Sequence, residues 1–103
     1  MDTVESRGMK RYTRAQYVTY LLREALHHIK TAEKSYASSD GRIDMLRNAL
    51  SWVIAAERMS AEAHALSRLG DANGKSYHGA DALHQQYWNA YESLAQRWPL
   101  LPR

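Results

Sequence analysis

Apolar residues recur at Val18, Leu22, Ala25, Ile29, Ala32 and Tyr36, a 4-3-4-3-4 spacing that follows one face of an α-helix. Thr13 stands ahead of that series and is the predicted N-cap, because its hydroxyl can accept from a backbone N–H left open in the first turn. Leu21 and Leu26 fall near the edges of the apolar arc, and Glu33 intrudes close to its centre. The Ser38-Ser39-Asp40-Gly41 cluster breaks the pattern, and Asp40 or a neighbouring serine is the expected cap of a second helix. A third series, Ala80, Leu83, Tyr87, Tyr91, Leu94 and Trp98, fits an apolar arc with His84 near its middle and Trp88 on one flank. Asp81, Gln85, Asn89, Glu92 and Gln96 take the opposite side.

The middle segment has a different pattern. One stripe reads Met45, Ala49, Trp52, Ala56, Met59, Ala63 and Leu66, and another holds Ile43, Leu46, Leu50, Val53 and Ile54. Together they cover more than half of a helical cylinder, which is the signature of a buried helix. Two neighbours of ~20–25 residues are too few to cover it, so a second copy or another protein is expected to complete the core. After Ile54 the second stripe turns polar and small, through Glu57, Ser60, Ala61, His64 and Arg68.

The pattern predicts helices over about 13–38, 42–69 and 77–97, the second stopped at Gly70 and the third by Pro99. Residues 1–11 read as a flexible basic leader, 12–98 as one helical domain and 99–103 as a tail. No segment alternates with period two, so no sheet is expected. Short connections favour antiparallel neighbours. The expected fold is all-α, an antiparallel up-down-up three-helix bundle completed by dimerisation.

Composition narrows the function. The chain has 103 residues, 45% of them hydrophobic, with a net charge of +3 and no cysteine. That fits a single small domain and removes thiolate chemistry and disulfides. No apolar run approaches the ~18–20 residues of a membrane span, and the first residues lack the layout of a secretory signal. The expected setting is cytoplasmic, with no membrane partner. The charge excess sits in the N-terminal segment, where Arg7, Lys10, Arg11 and Arg14 alternate with Tyr12, Tyr17 and Tyr20.

The chain has seven tyrosines, three tryptophans and no phenylalanine, so every aromatic ring carries a polar tip, as suits surfaces apolar on one side and wet on the other. There is no serine elbow and no glycine-rich phosphate loop, and no enzyme activity or cofactor is expected. The sequence therefore points to a protein–protein interaction module, an adaptor, assembly subunit or inhibitor that meets itself or another protein. Tyr17, Tyr20, Trp52, Met59, Trp88 and Tyr91 are its candidate interface residues, since Tyr, Trp and Arg dominate interface hot spots. The first alternative is non-specific nucleic-acid binding, or a place in a nucleoprotein complex, through Arg7, Lys10, Arg11 and Arg14. The second is a metal site. A hairpin of the second and third helices would bring His64 level with Leu83 and His84, near Glu57, and helical bundles hold zinc or iron with such side chains. Glu24 and His27 form one further carboxylate–histidine pair, although a di-iron bundle needs that pair twice.

Overall fold

The structure, a computed structural model, describes residues 3–5, 11–69, 80–99 and 101, with the backbone alone for 3–5, 11 and 12. Three helices form the body: α1 (Arg14–Ala37), α2 (Ile43–Ser67) and α3 (Ala80–Arg97). Among the described residues no helix is long and apolar enough to cross a membrane.

The predicted start of α1 is the observed one. Gln16 donates its backbone N–H to the Thr13 hydroxyl at 3.1 Å, and the Gln16 side-chain oxygen accepts from the Thr13 N–H at 3.0 Å. This reciprocal capping box satisfies two backbone donors that the first turn leaves open. Ahead of it lies a feature the pattern did not predict. β1 (Thr3–Glu5) pairs antiparallel with β2 (Arg11–Thr13), with Val4 opposite Tyr12. Strands of three residues are too short to display a period of two, so the expectation of no sheet fails at this hairpin.

The turn between α1 and α2 also differs from expectation. Arg42 occupies the N-cap of α2 without a side-chain cap, so neither Asp40 nor a serine takes that role. Asp40 (φ 50°) and Gly41 (φ 76°) instead adopt left-handed backbone. The Ser39 hydroxyl accepts from the Gly41 N–H at 3.4 Å and donates to the Tyr36 carbonyl at 2.7 Å. That buried serine ties the turn together from inside.

Helix α1 is the spine. It packs along α2 and against α3, whereas α2 and α3 approach each other closely at few points. Val18, Leu21, Leu22, Ala25, Ile29 and Ala32 are its buried face. They meet a buried line of α2 made of small residues, Ala49, Val53, Ala56, Ser60 and Ala63. Small side chains let two helix backbones approach closely, which is why this pair is the tightest in the molecule. The line runs between the two stripes of the sequence pattern. Trp52, Met59, Leu46 and Leu50 are therefore half-buried flanks, and Ile43 and Ile54 are exposed. From α3, Tyr87, Tyr91, Leu94 and Ala95 complete the core. Trp98 stacks on Tyr36 with centroids 4.8 Å apart, and the Tyr36 hydroxyl donates to the Arg97 carbonyl at 3.0 Å. Arg97 in turn pairs with Glu33 at 2.8 Å, so the carboxylate that interrupted the α1 arc is satisfied across the bundle.

The radius of gyration is 15.2 Å, against about 13 Å for a compact chain of this length. The smallest dimension is 16 Å, little more than one packed helix pair, whose axes lie about 8–10 Å apart. Each helix thus keeps a face toward solvent.

Candidate functional site

The wide separation of α2 and α3 leaves a groove of about 630 Å³ between them. Its α2 wall is Glu57, Ser60, Ala61, His64, Ala65 and Arg68, the segment where the second stripe loses its large apolar residues. Ser60, Ala61 and Ala65 remove the side-chain volume that would otherwise fill the gap. The α3 wall is His84, Tyr87, Trp88, Tyr91 and Glu92. Tyr87, 1% exposed, forms the floor, and Trp88, 49% exposed, stands on the rim.

The aromatic residues form one cluster. Trp88 meets Tyr87 edge-on at 5.2 Å and Tyr91 at 5.8 Å, and Tyr87 and Tyr91 lie 6.1 Å apart. Edge-to-face packing at these distances fixes the rings beyond what burial alone contributes. The Tyr91 hydroxyl donates to Glu57 Oε1 at 2.8 Å, joining the walls at one end. At the other end His64 and His84 meet edge-on at 5.3 Å, as the sequence places them. The groove is therefore acidic at the Glu57–Glu92 end and carries Arg68 and two imidazoles at the other.

This environment alters two ionisations. Burial, then the nearby Glu57 carboxylate and Tyr91, pushes the Tyr87 phenol far above its ordinary range, against an opposing hydrogen bond with Ser60. Burial, then His64, lowers His84 below the ordinary imidazole value, with Asp81 pulling the other way. Among the described residues, the buried Nε2 atom of His84 has no hydrogen-bond partner, and neither has Nδ1 of His28.

Among the described residues the candidate metal ligands are not drawn into one cluster. Glu57, His64 and His84 line the same groove, but the Glu57 carboxylate is held at the far end by Tyr91 rather than beside the histidines. Among the described residues no group of three or more His, Asp or Glu side chains is placed to hold a metal ion. His27 is exposed, and its ring neighbours His28 at 5.8 Å. The hydrogen bond that Glu57 makes in this groove is the one it accepts from Tyr91.

The interface candidates separate into distinct places. Trp88 and Tyr91 share the groove. Met59 is half-buried and touches both halves of the core. Trp52 packs on His28 at 5.0 Å and against the core. Tyr17 and Tyr20 stack at 6.0 Å near the start of α1, where the Tyr17 hydroxyl donates to Glu62 at 3.4 Å. Arg14 opens α1 and is half-buried. Arg7 and Lys10 lie outside the described residues, and Arg11 is described only as backbone of β2.

Sequence reasoning did not single out Ser60, Ala61, Ala65, Arg68, Tyr87 and Glu92 as one surface. The available signal was the change of character after Ile54, combined with the polar flank of the α3 arc. Comparisons with protein families, with curated proteins and with solved structures return no match, so the reading of this groove rests on its own residues.

Proposed function

We propose that the protein is a non-enzymatic helical interaction module, an adaptor, assembly subunit or inhibitor that works by occupying a protein surface. The observation that carries this reading is the open groove between α2 and α3, with an aromatic cluster on one wall, small residues on the other and an exposed tryptophan at the rim. Grooves of this kind receive an amphipathic helix whose apolar side chains fill the gap. A buried aromatic anchor surrounded by polar residues is the usual centre of binding energy. In this reading the helices run up-down-up with antiparallel neighbours. It is supported by Tyr17–Glu62 and Asn48–Ser35 between α1 and α2 and by Tyr91–Glu57 between α2 and α3. A second copy or another protein completes the bundle, in a cytoplasmic setting and without a membrane partner.

The test is capture of partners from cells by wild-type protein and by Trp88→Glu. Loss of specific partners in the variant, with helical content unchanged, supports the reading. Identical capture by both sinks it.

The stacked Tyr17–Tyr20 pair, beside Arg14 at the start of α1, supports a second reading as a non-specific nucleic-acid binder that uses Arg7, Lys10, Arg11 and Arg14. Affinity for a single-stranded oligonucleotide would then fall steeply with added salt. Binding that is absent at low salt, or unchanged when these four residues become glutamine, removes it.

A further inference from the structure

We infer that the occupant of the α2–α3 groove is a second copy of this chain, related by a two-fold axis that crosses the groove near Trp88. The inference rests on the docking reading above and gives that surface a specific partner. The charges along the groove favour such a partner. Glu57 and Glu92 mark one end of the groove and Arg68 the other, where His84, held below the ordinary imidazole value, adds no charge near neutral pH. Along α2, Glu57 and Arg68 are separated by roughly 16 Å, at 1.5 Å per residue. A two-fold axis across the middle reverses the groove, so the acidic end of one protomer meets the basic end of its partner, twice over. An isologous interface requires this self-complementarity. Arg58 and Asp81 carry the opposite sign near each end, but neither lines the groove.

The shape of the surface favours it too. Trp88 lies halfway between His84 and Glu92, so the axis places the two Trp88 side chains together at the centre. Its 49% exposure is large for a tryptophan, against 9% for Trp98. On the facing wall Ile54, 43% exposed, Ala61 and Ala65 form an exposed apolar strip beside the groove. The two alanines allow the second backbone to come close. The over-apolar α2 points the same way, since Ile43 and Ile54 stay exposed after α1 and α3 have packed on it.

The position of Trp88 on the axis supplies the experiment. Trp88→Glu sets two carboxylates against each other in a dimer, and Trp88→Lys sets two ammonium groups, whereas a mixture of the two variants pairs opposite charges. Sedimentation equilibrium on purified protein should show a concentration-dependent dimer for the wild type. Each variant alone should dimerise at least about tenfold more weakly, as for a central hot spot. The equimolar mixture should recover association beyond either variant alone. Arg68→Glu should also weaken the dimer.

A wild type that stays monomeric at high concentration overturns the inference, as does a dimer indifferent to both Trp88 variants. If the wild type is monomeric and Trp88→Glu still abolishes capture of cellular partners, the second copy is excluded and the docking reading stands. If neither effect is seen, both fall.

Discussion

Tyr87 is enclosed by the bundle while its phenol feels the Glu57 carboxylate, and both conditions favour the neutral ring. In the unfolded chain the same phenol ionises near 10.0. The folded value lies above the unfolded one, so the associated stability is intact below pH 10.0 and is lost as pH rises beyond it. Tyr87→Phe should flatten this alkaline loss, which thermal melts across that range would reveal. His84 gives the acid counterpart. Its folded value lies below 6.5, so its contribution is intact above that pH and declines as the solution becomes more acidic, when the unfolded state takes up the proton more readily. The same melts below pH 6.5 should show a shallower decline for His84→Gln than for the wild type. The sequence could place His84 in the apolar arc and level with His64, because both follow from helical period and a hairpin. It could not assign the partner of Glu57, since Tyr91 and His84 are both within reach by angular counting and only the packed structure selects Tyr91.

At the scale of elements, α1 and α3 matched their patterns because each has one apolar arc and a polar back. Helix α2 was harder to read. Its two stripes each looked like a packing face, yet the buried line takes small residues from both, Ala49, Val53, Ala56, Ser60 and Ala63. Periodicity identifies faces but does not say which one allows the closest backbone approach. That choice is testable. Ala56→Leu inserts bulk at a fully buried position of α2 and should destabilise by about 1–3 kcal/mol in chemical denaturation. The same change at exposed Ala61 should leave stability within about 0.5 kcal/mol. The turn between these helices makes a second prediction. A Cβ on Gly41 would meet no atom within 4 Å, so only its left-handed backbone resists substitution. Gly41→Ala should therefore cost about 1–2 kcal/mol, while Asp40→Gly, at the other left-handed position, should be tolerated. The β1–β2 pairing escaped the sequence because strands of three residues are too short to display a period of two.

For the whole molecule, the decisive feature is that α2 and α3 share the spine α1 without closing on each other. A bundle closed on three sides would have hidden Trp88 and filled the space beside Ala61 and Ala65. The open arrangement yields a groove of about 630 Å³ with charges of opposite sign at its ends. The over-apolar α2 and the aromatic set with polar tips hinted at such a surface from the sequence alone. They did not locate it, because a groove is a relation between two helices and depends on the separation that α1 imposes. Amide spectra of isotopically labelled protein across a concentration series show whether this groove is where two copies meet. Concentration-dependent shifts are expected at Glu57, Ala61, Ala65, Arg68, Trp88 and Glu92, and should be absent from Trp88→Glu. Spectra that do not change with concentration, or shifts confined to the Tyr17–Tyr20 end of α1, would contradict pairing through the groove.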